Sequence, residues 1–127
     1  MINAFYQMNV EDFREYCLAK FGVEESFPFS EDTLVFKVFG KMFALTNLSS
    51  EEFTINLKCD PEMALQLRES YEAVRPGFHM NKKHWNTVSC ESDATESELK
   101  KWIDHSYGLV VSKLPMSTRK LFEKDEG

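Results

Sequence analysis

Three β-patterned segments crowd into residues 34 to 58, and the connections between them largely dictate how the chain folds. Leu34 to Phe39 is rich in β-branched and aromatic residues, Gly40-Lys41 reads as a tight turn, and Met42 to Thr46 returns antiparallel. Asn47 to Glu52 leads on to a third strand, Phe53-Thr54-Ile55-Asn56-Leu57-Lys58. Its alternation is clean: Phe53, Ile55 and Leu57 face a core, and Thr54, Asn56 and Lys58 face away. The first two strands do not alternate cleanly, which predicts that both of their faces are partly covered. The expected centre of the fold is an antiparallel meander with helices on one face.

The flanking segments supply those helices. Residues 9 to 21 place Val10, Phe13, Cys17 and Phe21 on one stripe, with Asn9 as N-cap, Glu11 and Asp12 in the first turn, and Gly22 as the stop. Asp60-Pro61 is a capping carboxylate followed by proline at the first helical position, and predicts a helix to about Tyr71 that buries Met63 and Leu67. Thr95-Glu96-Ser97-Glu98 is a capping box. It opens a last helix with Leu99, Trp102, Ile103, Ser106 and Val110 on one face, interrupted by Gly108 through close packing or a bend, and ended by Leu114-Pro115. Trp85 to Cys90 is expected as a fourth strand, Glu24 to Asp32 as a loop, and Met116 to Lys120 as a short exposed turn before fraying residues. Phe27-Pro28-Phe29 predicts two core anchors on a turn, with a packed lid as the alternative.

A chain of 127 residues with 43% hydrophobic residues and eleven phenylalanines has room for one core, so residues 1–127 are expected to form a single domain. No apolar run approaches a membrane span, and the first residues lack the basic region and long apolar run of a leader. Cys17, Cys59 and Cys90 are distant from one another and form neither a disulfide framework nor a metal clamp; they suit a reducing cytoplasm as small buried hydrophobes.

Against a net charge of −6, the stretch from Arg75 to Val88 reverses sign locally, with Arg75, Lys82 and Lys83 and no carboxylate. It also holds Pro76-Gly77, where Gly77 is free to take a positive φ, together with His79, Asn81, His84 and Trp85. These are the residue types that meet phosphates and base edges. Arg75, His79, Asn81, Lys82, Lys83 and His84 are therefore the candidate nucleic-acid-binding residues, with Arg119 and Lys120 (and Lys113) extending the face if the C-terminal end folds back. Trp85 is expected in the core rather than stacked on a base, and Asn86 is expected to bond to the backbone of the preceding turn. The bland alternative is a solvated connection whose charges serve solubility.

Other chemistries lack their residues. The sequence has no HExxH, no cysteine pair and neither of the glycine-rich phosphate loops, and neither His79 nor His84 has a carboxylate beside it, so no metal or cofactor is expected. Cys90 lacks a visible base and orienting group, which argues against a nucleophile and for a non-enzymatic domain.

Several motifs resemble the MmcQ/YjbR family of small bacterial proteins. They are Phe27-Pro28-Phe29 before Leu34-Val35-Phe36-Lys37-Val38, Gly40-Lys41-Met42-Phe43-Ala44, Pro76-Gly77 with His79-Met80-Asn81-Lys82, His84-Trp85-Asn86-Thr87-Val88, and Ser106-Tyr107-Gly108-Leu109-Val110. The resemblance implies a frataxin-like (CyaY-like) α/β two-layer sandwich and a DNA-binding role, with no catalytic residues. The iron binding of frataxin-like proteins is not carried over, because Arg14 interrupts Glu11, Asp12 and Glu15 on the first helix. The expected function is DNA binding around Lys82, the alternative a protein-interaction or small-ligand module on the same surface.

Overall fold

The computed structural model describes residues 7–126, with side chains as far as Glu123. The first residues, read above for a leader, lie outside that range. The chain runs α1 (Val10–Leu18), β1 (Val23–Ser26), β2 (Thr33–Val38), β3 (Lys41–Asn47), β4 (Thr54–Lys58), α2 (Pro61–Ser70), β5 (Val74–Pro76), β6 (Trp85–Ser89), α3 (Glu96–Ser112) and α4 (Met116–Glu126). It is an α+β fold whose six-stranded sheet has the order β1-β2-β3-β4-β6-β5 and is antiparallel at every pairing.

The expected meander is present as β2-β3-β4. Its turn sits one residue earlier than the sequence suggested. Val38 pairs with Lys41, and the two residues between them, Phe39 (φ 44°) and Gly40 (φ 83°), both take positive φ. Two positive φ values give the tight hairpin whose twist matches that of the strands. A register shift between Phe36 and Lys37 marks a bulge, which accounts for the imperfect alternation of these two strands.

The three predicted caps are made. Asn9 and Asp12 form a reciprocal capping box, Asp60 accepts from the amide of Met63, and Thr95 and Glu98 form the second box. The helices bury the faces that their spacing implies: Phe13 and Cys17 from α1, and Leu99, Trp102, Ile103, Ser106 and Val110 from α3. They join Phe36, Phe43, Ile55, Leu57 and Val88 of the sheet in one large core, against which Met63 and Leu67 of α2 pack. Phe13 meets Phe36 edge to face at 5.4 Å, an arrangement worth about 1 kcal/mol beyond the area it buries.

Several expectations are corrected. α1 ends at Leu18, before Phe21 and Gly22. Part of the expected loop after it is β1, an edge strand held by pairing with β2. Phe27 and Phe29 are exposed and do not anchor the core. Val74–Pro76 is a further strand at the opposite edge, where proline leaves no inner ladder bond unmade. α3 runs through Gly108 to Ser112, and a Cβ at Gly108 would meet nothing within 4 Å, so close packing is not its reason. The expected short turn is instead part of α4, whose Phe122 packs on Phe21, Phe39 and Tyr107; Gly127 lies outside the described residues.

The other face of the sheet carries a small second cluster, Val35, Leu45 and Trp85, flanked by Met42 and Met80, to which no helix contributes among the described residues.

Candidate functional site

The loop between β5 and β6 (residues 77–84) is held by more bonds than a solvated connection needs. Gly77 donates to the carbonyl of Trp85 at 2.9 Å, and Trp85 donates to that of Asn81 at 2.9 Å. The Asn81 side-chain oxygen accepts from the amides of Lys83 (2.9 Å) and His84 (3.2 Å), so this amide ties the loop together. Phe78 donates its backbone N–H to the Thr87 hydroxyl at 2.8 Å. From α2, Arg68 reaches across: Nε donates to Asn86 Oδ1 at 2.7 Å, and Nη2 to the carbonyls of Lys82 and Trp85.

Two sequence expectations change here. Asn86 bonds to α2, through Arg68 and the Ala64 carbonyl, and not to the preceding turn. Gly77 does not take a positive φ; its role is close approach, since a Cβ would lie 2.9 Å from both Cβ and the carbonyl oxygen of Trp85. The residue with positive φ is His79 (φ 59°), whose ring lies against that of Phe78 at 4.0 Å between centroids. Trp85 is buried, as expected.

The candidate basic residues fare differently from one another. Lys83 is exposed, and the exposed Lys82 turns its ammonium back onto the Gly77 carbonyl at 2.9 Å. Arg75 pairs with Glu52 at 3.4 Å, and the Ser89 hydroxyl together with Arg75 holds that carboxyl below its usual range. His79 is exposed and His84 half-buried. Arg119 and Lys120 are exposed on α4, whose Phe122 fixes it beside the Phe39 hairpin.

Sequence reasoning named Lys113 only as an extension of the basic face and missed Lys41 and Lys58. Lys41, Lys58 and Lys113 line one cleft of about 370 Å³ together with Met42, Trp85 and Val110. Among the described residues none of the three lysines enters an ion pair. The cleft is positioned by Ser106 of α3, fully buried, whose hydroxyl accepts from the Lys58 amide (2.9 Å) and donates to the Phe43 carbonyl (2.5 Å). Antiparallel register brings Lys41 and Lys58 to one edge: Lys41 begins β3, Lys58 ends β4, and Lys58 lies opposite Trp85 at the start of β6, while Lys113 comes from the C-cap of α3.

The YjbR family model matches residues 18–109, which span β1 to β6 and most of α3. The chain belongs to the YjbR family. It is 34% identical over 114 residues to the uncharacterized protein YjbR of Escherichia coli (strain K12), a match covering 90% of this chain and 97% of that one. It is 39% identical over 98 residues to the uncharacterized protein YbdF of Escherichia coli O157:H7, covering 77% and 80% of the two chains. Among solved structures, Deinococcus radiodurans protein DR2400 superposes with a TM-score of 0.84 at 37% identity, covering 90% of this chain and 87% of the other. A Pseudomonas syringae protein superposes at 0.70 with 28% identity, covering 80% and 98%.

Among the described residues of this YjbR-family chain, no group of three or more His, Cys, Asp or Glu could hold a metal ion. The Cys90 thiol, pushed up to about 12 chiefly by burial, is protonated at neutral pH. No helix of the described residues is long and apolar enough to cross a membrane.

Proposed function

We propose that this chain is a non-enzymatic, cytoplasmic, CyaY-like binding domain that takes DNA along the edge where β3 begins, β4 ends and the 77–84 loop projects. Lys82 and Lys83 would meet phosphates from the loop, and Lys41, Lys58 and Lys113 from the cleft. The observation that carries this reading is the cleft itself, three lysines that enter no ion pair among the described residues and converge beside Trp85. Lysine–phosphate contacts release counterions and carry no base information, so binding of this kind is salt-sensitive and indifferent to sequence. The net charge of −6 repels the duplex beyond the contact patch and keeps the affinity low.

The reading gives different weights to the candidates. Asn81 serves the loop, and Arg75 is engaged with Glu52. Arg119 and Lys120, beside the hairpin that delivers Lys41, would add charge at the rim.

A second reading, a module for a small ligand or a protein segment, is favoured by the groove beside the second cluster. It is lined by Met42, Leu45 and Met80 with Phe29 and Phe78. Titration of labelled duplex DNA at about 50 mM salt, where phosphate contacts are strong, separates the two. Binding that weakens in Lys58→Ala/Lys113→Ala supports the lysine edge. Binding untouched by that variant, or no binding of either duplex or single-stranded DNA, leaves the surface to the second reading.

A further inference from the structure

The groove beside the second cluster and the lysine cleft are neighbours, since Met42 lines both. We infer that the groove receives an unpaired base of a single-stranded nucleic acid whose phosphates continue along the cleft lysines; this rests on the lysine-edge reading above and names the form of nucleic acid.

The groove encloses about 370 Å³. Two phenylalanines reach it from loops at opposite ends of the strands, Phe29 between β1 and β2 and Phe78 between β5 and β6. Phe29 is 68% and Phe78 67% exposed. Rings left that open are available as stacking platforms, and stacking on an aromatic side chain is worth about 1–3 kcal/mol per base because every base has a π-face. A duplex keeps its bases stacked on one another and offers none to these rings.

The polar lining selects for ring carbonyls. Thr87 accepts from the Phe78 amide and donates to Asn56 Oδ1, so one hydroxyl fixes both the loop and the Asn56 amide group. Among the described residues that leaves Asn56 Nδ2 as an unspent donor at the groove. Asn47 Oδ1 accepts from the amide and hydroxyl of Ser49 (2.9 and 2.8 Å), which leaves Asn47 Nδ2 unspent as well among the described residues. Among the described residues no carboxylate lines the groove. Two N–H donors beside aromatic walls match the carbonyl edge of a pyrimidine, and the cationic cleft next to them matches its phosphate.

The test uses the full chain with fluorescently labelled oligothymidylate and a duplex of equal length, both at low salt. Phe78→Ala is expected to weaken the single strand roughly 5- to 150-fold and to leave the duplex unchanged; Phe29→Ala, from the other end of the groove, is expected to act in the same direction. Both rings are largely exposed, so an unshifted denaturation midpoint verifies folding. If both phenylalanine variants bind oligothymidylate like the wild type while Lys58→Ala/Lys113→Ala weakens it, the base pocket is wrong and the lysine edge stands. Equal affinity for thymidine monophosphate and the oligomer also overturns the inference, because no strand is then followed. If neither DNA binds, the lysine-edge reading fails and this inference with it.

Discussion

Arg68 on α2 donates from Nε to Asn86 Oδ1 on β6 at 2.7 Å, and its Nη2 reaches the carbonyls of Lys82 and Trp85. One guanidinium thus clamps the base of the 77–84 loop to a helix. Asn86 is buried, so Arg68→Ala leaves its oxygen without a strong donor. The expected cost is about 1–3 kcal/mol, read by urea denaturation. Arg68→Lys is expected to recover only part of it, because an ammonium cannot reproduce the fork.

Gly77→Ala tests the close approach of the loop to β6. The new Cβ would lie 2.9 Å from Cβ and the carbonyl oxygen of Trp85 and 3.0 Å from Met80 Cβ. Backbone must shift to admit it, at about 1–3 kcal/mol. Denaturation midpoints should fall, and the indole fluorescence should change with the surroundings of Trp85.

Ser106→Ala removes the hydroxyl that joins α3 to two strands. The Lys58 amide and the Phe43 carbonyl then lose a buried partner. A loss of about 1–3 kcal/mol is expected, together with faster hydrogen exchange at the Lys58 amide.

Acid should weaken the fold through Asp93 and Glu98. Burial pushes the Asp93 carboxyl up, but the amides of Ala73 and Glu72 outweigh it and hold the group below its ordinary value. Glu98 is held low by the Thr95 amide and by the Tyr71 hydroxyl. A carboxyl lowered in the folded state adds stability that is complete above its unfolded pKa, near about 4, and is lost as pH falls through the folded value. Urea denaturation at stepped pH should show this decline. Asp93→Asn should lower stability at neutral pH and flatten the decline below about pH 4.

The sequence made the meander and the helix starts legible because each is coded locally, by alternation in Phe53–Lys58 and by caps at Asn9, Asp60 and Thr95. β1 and β5 were not legible. Strands of four and three residues gain their conformation from a neighbour, β2 or β6, and not from their own composition. α4 forms where Phe122 finds Phe21, Phe39 and Tyr107, contacts distant in sequence. The basic loop stood out because Lys82 and Lys83 are adjacent. Lys41, Lys58 and Lys113 are scattered, and only the strand register and the docking of α3 gather them. One signal was available: in an antiparallel meander the end of the third strand lies at the same edge as the start of the second, which places Lys58 near Lys41.

The salt dependence of DNA binding tests the central claim most directly. For phosphate contacts, log affinity falls linearly with log salt at about 0.9 per contact, so Lys58→Ala/Lys113→Ala should flatten the slope by roughly 2. Lys82→Ala/Lys83→Ala should do the same, with a loss similar for DNAs of different sequence. A slope unchanged in both double variants, or affinity weaker than roughly millimolar at about 50 mM salt, would contradict a DNA-binding edge.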